Sequence, residues 1–384
     1  MEVLTLSRSE QNNETLTMDH DKSFGFEIDF MPVGDSSKSG DAICMRWGYG
    51  LCTDRPDQFV MVVDGGFKGD GLKILEHIST VYKTKTIDLV VNTHPHADHV
   101  GGLHEIIEKK TFTIKRLALH APWTHPDADK FFKDGRVTSK SIKKNLKEGL
   151  ESVYELVKKA TARKIPIYEW FSDEVGFDVK SVHMACLGPS KTYYESLLPN
   201  FECTPTDGAD NSARRLESKK RMVKADDCPL TDEGATSAEN NSSLIMSLTL
   251  PGGNVILLTG DAGMPALNRV VKRAEELKVD LSELWLFKVP HHGSVQNLGP
   301  ATIEDLLFYS MFGSVEDRCA VISVSAKPPF DHPARNLINA ITDYGFKVCL
   351  TNGDLLQGGR GVFPARGYPI VEAAGPFEDV QLFM

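Results

Sequence analysis

His94-Pro95-His96-Ala97-Asp98-His99 follows the apolar run Ile87-Asp88-Leu89-Val90-Val91-Asn92-Thr93 and precedes Val100-Gly101-Gly102-Leu103. Four metal-competent side chains therefore crowd into six residues at the mouth of a buried strand. A strand end aims alternate side chains the same way, so His94, His96 and Asp98 can converge while the following turn brings in His99. Neutral imidazoles with a carboxylate suit Zn²⁺, Mn²⁺ or Fe, not Ca²⁺ or Mg²⁺ alone. The chain is expected to bind metal and to use it.

Working outward, 384 residues allow a large core in one big domain or two small ones. A hydrophobic share of 41% and a charged share of 25% are those of a soluble globular protein. No apolar run is long enough to cross a bilayer, and Met1 to Lys22 is polar and acidic rather than signal-like. The seven cysteines, at 44, 52, 186, 203, 228, 319 and 349, form no Cys-x-x-Cys pair. They read as reduced thiols of a cytoplasmic protein with no membrane partner. A net charge of −10 argues against non-specific nucleic-acid binding by the whole surface, but leaves room for a local basic groove.

Residues 1–23, rich in Ser, Asn, Glu and Asp, read as a flexible N-terminal segment, and 24–384 as one domain with a helical and loop insertion at about 120–240. Runs over 25–31, 42–47 and 58–64, separated by Gly, Asp and Ser turns, predict an antiparallel sheet. Gly65 to Gly71 is glycine-rich but lacks the Gly-Lys-Ser/Thr ending of a phosphate loop, and reads as a turn. Helical spacing covers 72–82, 103–109 and a long stretch, 139–164, whose polar face carries Lys140, Lys143, Lys144 and Lys147. Later strands are predicted over 244–250, 255–261, 284–289, 319–325 and 347–350, with helices over 265–277 and 334–344. Two mainly β blocks with intervening helices predict an α+β fold of two packed sheets with helices outside.

Three later features also sit at strand ends. Asp261 closes the apolar run Val255 to Thr259 and either bridges two cations or caps the next helix. His291-His292 follow Leu-Phe-Lys-Val-Pro, so at least one ring should face the same edge. His332, after Phe330-Asp331, is as readily a loop residue as a functional one.

Taken together, these residues resemble the metallo-β-lactamase superfamily, whose signature Thr-His-x-His-x-Asp-His-x-Gly-Gly is met by Thr93 to Gly102. Within it the chain is most similar to the hydrolase domain of the ComEC competence proteins, without their membrane channel. The agreement lies in Gly40-Asp41-Ala42-Ile43, Asp64-Gly65-Gly66, Leu187-Gly188-Pro189, Asn240-Asn241-Ser242-Ser243-Leu244, Leu258 to Asp261, Lys288 to Ser294 and His332-Pro333. The resemblance implies an αββα sandwich with mixed sheets and two divalent ions, Zn or Mn, at one sheet edge. His94 and His96 would bind one ion, Asp98 and His99 the other, and Asp261 both. One of His291 and His292 would complete the second site, and Asp64 would orient ligands from behind. Many superfamily members supply a further histidine before the bridging aspartate. Here His120, His125 and His183 lack its context and Asn240-Asn241 takes its place, which should favour Mn²⁺ relative to Zn²⁺.

The implied chemistry is hydrolysis, with Asp98 orienting the attacking group, His332 or the unused member of the 291–292 doublet assisting at the leaving oxygen, and Ser294 or Asn241 holding a phosphate. The leading expectation is a phosphodiesterase or nuclease acting on DNA or RNA, with Lys143, Lys144, Lys147 and the basic segment 214–224 tracking the backbone and a regulatory protein partner in control. Hydrolysis of a small ester, lactone, thioester or cyclic nucleotide, and a binding module with degenerate metals, are the alternatives. The complete set His94, His96, Asp98, His99 and Asp261 speaks against degeneracy.

Overall fold

The alternation of Phe24 to Phe30 decides the first sheet. In a computed structural model of the chain, which describes residues 23–34, 37–125, 139–203, 229–328, 332–366 and 373–375, that run is strand β1. Phe26, Ile28 and Phe30 point to one side with Met45 and Trp47 of β2 (Ile43–Tyr49) and Met61 of β3 (Asp57–Val63). The three strands form the expected antiparallel meander. The chain then turns through the helix Asp70–Thr80 and lays β5 (Leu89–Val91) parallel to β3, next to a small outlying pair of β4 (Thr86–Ile87) and β6 (Thr113–Ile114). Strands β7 (Leu117–Ala118) and β8 (Ile167–Tyr168) extend the parallel half, and with the last strand, β16 (Leu356–Gly361), the first sheet runs β16-β1-β2-β3-β5-β7-β8.

The second sheet repeats the plan. Strands β9 (Phe177–Val179), β10 (Val182–Gly188), β11 (Ile245–Thr249) and β12 (Val255–Leu258) are antiparallel neighbours. Parallel strands β13 (Leu284–Lys288), β14 (Cys319–Ile322) and β15 (Lys347–Leu350) follow. The last strand, β16 (Leu356–Gly361), returns to the first sheet beside β1. Between the sheets lies a core in which Phe26, Trp47 and Met61 meet Met184, Met246, Leu248 and Trp285. Ile74, Ile78, Leu103, Ile106, Val153 and Leu156 cover the outer face of the first sheet from three helices. Val270, Ala274, Ile303, Leu306, Leu337 and Ile341 do the same for the second. The result is the expected αββα sandwich of two mixed sheets.

Several boundaries differ from expectation. The span taken as an insertion contributes β8, β9 and β10 to the two main sheets. These strands, two to seven residues long, are legible only through their pairing partners. The long helix over 139–164 breaks into Ser139–Gly149 and Glu151–Ala162, because Leu150 leaves helical geometry (φ −112°, ψ 40°) where Gly149 packs against Cys203. The helix over 265–277 likewise divides into Met264–Leu267 and Val270–Leu277, with the Asn268 amide oxygen accepting the Thr302 hydroxyl. The N-terminal segment up to residue 22 and the basic stretch 214–224 lie outside the described residues. Among the described residues no helix is long and apolar enough to cross a membrane.

Phe26 is fully buried between Trp47 and Trp285, with ring centroids 6.1 Å and 6.4 Å away. Its replacement by alanine opens a cavity between the sheets, and denaturant unfolding should register a loss of about 3–5 kcal/mol. A loss below about 1 kcal/mol would mean that the sheets are not held together there.

Candidate metal centre

Parallel strands carry their carboxyl ends to one edge of a sheet, where a crevice can form beyond them. Here β3 and β5 in one sheet, and β12, β13 and β14 in the other, deliver Asp64, Asn92 to His94, Asp261, His291-His292 and Ser323 to the same edge. The short helix Ala97–Val100 adds Asp98 and His99.

Asp64 is the organiser. It sits just past β3 in the left-handed region (φ 58°), is 1% exposed, and takes its place through its N–H to the Val91 carbonyl. Its carboxylate accepts the Thr93 N–H at 2.8 Å, the Thr93 hydroxyl at 2.7 Å and the His99 Nδ1–H at 2.8 Å. Because the Thr93 hydroxyl spends its proton on Asp64, it accepts from His94 Nδ1 at 3.1 Å. When neutral, both rings are thereby fixed with Nδ1 protonated and a bare Nε2 facing inward, the tautomer a metal ligand needs.

Those bare nitrogens meet carboxylate oxygens. Asp261 Oδ2 lies 3.6 Å from His94 Nε2, 3.3 Å from His99 Nε2 and 3.4 Å from His291 Nδ1. Asp98 Oδ2 lies 3.7 Å from His99 Nε2 and 3.5 Å from His292 Nε2, while His292 Nδ1 donates to the Ser323 carbonyl at 2.8 Å. His96 Nδ1 approaches His94 Nε2 at 3.1 Å. His99 Nε2 and Asp261 Oδ1 are buried without a hydrogen-bond partner. Among the described residues two groups able to hold an ion emerge, His94-His96-Asp261 and Asp98-His99-Asp261-His292, their ligand atoms within 4.8 Å of one another in each. The two groups share Asp261.

The electrostatics favour positive charge. Burial and then the His99 charge hold His94 well below its ordinary value, so that ring is neutral. Burial also penalises His99, but Asp261, Asp98 and Asp64 outweigh it and hold that ring well above the usual imidazole range. Burial alone would raise Asp261, yet His99 and His291 keep it well below the usual carboxylate range. Side-chain exposure marks the mouth of the site: His94, His99 and Asp261 are at 0–1%, whereas Asp98 keeps 25% and His291 30%.

The remaining predicted residues fall into place around this cluster. Both members of the 291–292 doublet reach it, because the turn is left-handed at both (φ 45° and 54°) and carries the rings to one side. The His332 ring stands 5.8 Å from the His291 ring. Asn241, expected to hold a phosphate, has its amide engaged within its own turn. Its amide donates to Thr236 Oγ1 and the Ser237 carbonyl, and it is Asn240, one step round the short helix Ala238–Asn241, whose amide sits 2.7 Å from His291 Nδ1. The Ser294 hydroxyl accepts the Gln296 N–H and serves its own turn. Lys143 and Lys144 are exposed, and Lys147 lies over the Tyr154 ring at 5.0 Å. Their helix packs through Gly149 on Cys203, next to Glu202, whose charge reaches His96. Asn92, Thr93, Ser243 and Asn297 were missed as site residues. Asn92 and Thr93 bind Asp64, Ser243 Oγ accepts the Asp261 N–H, and Asn297 donates to the Asp261 carbonyl. Of these only Thr93 had a signal, its fixed place in the histidine motif.

The three histidines of the interval are committed elsewhere. His125 is bracketed by Glu169 (2.8 Å) and Glu195 (3.2 Å), and His183 pairs with Asp178 on the β9–β10 hairpin. His120 bonds the Trp170 carbonyl and stacks on Phe171.

In comparisons with known proteins, the family model of the Metallo-beta-lactamase superfamily matches residues 55–304. No curated protein matches the chain. Among solved structures, Igni18, a metallo hydrolase from the hyperthermophilic archaeon Ignicoccus hospitalis, is 13% identical, with 86% of this chain and 98% of that one covered at a TM-score of 0.37. A diphosphatase of the PhnP family is 11% identical, with 86% and 96% covered at 0.35. The long form RNase Z from yeast is 11% identical, with 78% and 37% covered at 0.36.

Burial pulls the His120 imidazole down to about 4 from an ordinary 6.5. The unfolded chain therefore takes up this proton first, so the neutral ring's contribution is complete above the unfolded value and is lost as pH falls. Between pH 6.5 and 4 the folded state should lose on the order of 3 kcal/mol from this ring. Chemical unfolding at stepped pH should show a shallower acid loss in His120→Gln, and identical slopes would contradict the assignment.

Proposed function

The chain belongs to the metallo-beta-lactamase superfamily, and from that premise we propose that it is a metal-dependent phosphodiesterase of the ComEC-like branch, cutting nucleic acid at a two-ion centre. One observation carries the reading: two ligand groups, each with a ring whose bare Nε2 is aimed inward by Asp64, converge on the single carboxylate of Asp261. His94, His96 and Asp261 would hold one divalent ion, Zn or Mn, and Asp98, His99, Asp261 and His292 the other. Such a pair supplies Lewis acidity toward a phosphoryl oxygen and activates water at neutral pH.

The chain's own groups do the rest. Asp98, whose side chain stays 25% exposed, would orient the attacking water and take its proton. His291 is the doublet ring left outside the ligand groups. Held by Asn240 and standing beside His332, it is placed to stabilise a developing oxyanion at the mouth. Asn240 fills the place of the absent further histidine. The exposed lysines of the helix Ser139–Gly149 offer cations for a phosphate backbone approaching from the Glu202 side. A chain of phosphodiesters, rather than one small ester, matches that extended charge, and a regulatory partner belongs with an activity of this kind.

Purified protein loaded with Mn²⁺ or Zn²⁺ should cleave single- or double-stranded DNA or RNA, and chelation should abolish the activity. Asp261→Asn and His96→Ala should each lower turnover by at least ~100-fold with an unchanged circular dichroism spectrum, since losing even a ligand's supporting partner costs 10–100-fold. Activity surviving in both variants would refute the site. Cleavage of bis-p-nitrophenyl phosphate alone, with nucleic acids left intact, would move the substrate to a small phosphodiester.

Replacing Lys143, Lys144 and Lys147 by glutamine should weaken single-strand binding and reduce its log–log salt slope by about 1–2. An unchanged slope would remove this helix from the substrate path.

A further inference from the structure

Lys288, at the end of β13, and Asp41, just before β2, form an ion pair of 2.9 Å whose side chains are only 1% and 2% exposed. A buried pair is weak evidence for stability, because desolvation offsets the attraction and apolar replacements are often as stable. Its position suggests another role. The Asp41 N–H donates to the Asp98 carbonyl at 3.1 Å, and the Asp41 carbonyl accepts the Gly66 N–H at 2.8 Å. At Gly40 the Asp98 turn lies so close that a Cβ would come within 2.7 Å of the Asp98 carbonyl oxygen. On the other side, Lys288 Nζ also donates to the Val289 carbonyl, and its own carbonyl accepts the Thr259 hydroxyl two residues before Asp261. Ser39 accepts the Ser325 N–H at 3.1 Å, two residues from the Ser323 carbonyl that orients His292. Residues 39–41 thus touch the Asp98 turn of the first sheet and the strand ends that carry Asp261 and His292 in the second.

We infer that the Asp41–Lys288 pair is the positioning clamp of the second ion subsite: it locks the Asp98 turn onto the His292 turn and so fixes the separation across which that ion is held. Asp98 comes from one sheet and His292 from the other, so the 3.5 Å between them depends on how the sheets register at this edge. The first subsite also crosses the sheets, at Asp261, but it has a tie of its own: the Leu244 N–H donates to the Thr93 carbonyl beside His94, and the neighbouring Ser243 Oγ accepts the Asp261 N–H. Asp41 and Lys288 are positioning residues, acting through Asp98 and His292 rather than on substrate. This inference rests on the two-ion reading above.

The test titrates metal-free wild type and Asp41→Asn/Lys288→Met with Co²⁺ followed by visible absorption, and with Zn²⁺ by calorimetry, next to thermal unfolding. Removing both charges leaves no lone buried ion, so the double variant should fold. Its first ion should bind as in wild type, and its second should bind roughly 10–100-fold more weakly, with the spectrum of that site altered. Two ions bound as tightly as in wild type would overturn the inference while leaving the two-ion reading intact. Equal weakening of both ions, or a double variant that does not fold, would make the pair a requirement of the fold and overturn it too. A wild type that takes up fewer than two ions would sink the reading and the inference together.

Discussion

Where the two sheets end, acceptor faces acceptor. His99 Nε2 stands 3.7 Å from one Asp98 oxygen and 3.3 Å from one Asp261 oxygen, and the His99 and Asp261 side chains are almost wholly buried. Unpaired buried polar groups are costly, and buried like charges more so. The geometry persists because two constraints leave no alternative. Parallel strands deliver these side chains to one edge whatever their identity, and Asp64 commits the Nδ1 proton of His99 directly and that of His94 through Thr93. The inward nitrogens cannot turn away without breaking that network. Positive charge at the centre resolves the conflict: against burial, the Asp261, Asp98 and Asp64 carboxylates hold the His99 ring well above its ordinary value.

A third constraint is backbone strain. His291, His292 and Gly293 take φ values of 45°, 54° and 79°, three successive left-handed residues of which only the last is glycine. For a residue with a Cβ that conformation costs roughly 1–2 kcal/mol. The turn is pinned by Gly293 N–H to the Pro290 carbonyl, Ser294 N–H to the His291 carbonyl, and Ala334 N–H to the Gly293 carbonyl. On a regular strand, successive rings would point to opposite faces. Here the strain brings both to Asp98 and Asp261, so one turn supplies a ring to the ligand group and another beside it.

How much of this was legible follows from locality. The motif Thr93 to Gly102 could be read because its residues are consecutive and a strand end fixes their directions. Asp261 could be read because an apolar run stops just before it. The doublet could not be resolved, since strand periodicity admits only one inward ring and the left-handed turn is invisible in composition. Asn240 and Asn241 are adjacent, and a phase difference of one helical residue decides which meets His291. Strand β16 carries three glycines and no β-branched residue, so nothing local marks it; its extended state comes from pairing with β1. The partnership of Asp41 with Lys288 spans most of the chain and was visible only as two separate motif fragments.

Among the described residues, orphaned polar atoms occur in the scaffold too, at Asp29 Oδ1, Glu105 Oε2 and Trp285 Nε1 for example, but five of them gather around the site. Asp41 Oδ1, His99 Nε2, Asn240 Oδ1, Asn241 Oδ1 and Asp261 Oδ1 are all buried without a hydrogen-bond partner, and all belong to the segments that gather at this one edge. Each such atom opposes folding by roughly 1–3 kcal/mol. A sequence shaped for stability alone would fill this edge with the Val, Leu and Ile residues that dominate the sheets behind it. The continuous core of Phe26, Met61, Met246 and Leu248 offsets the penalty, and it lies between the sheets, away from the edge. The division of labour is therefore spatial: apolar strand interiors supply the stability that the strand ends give up.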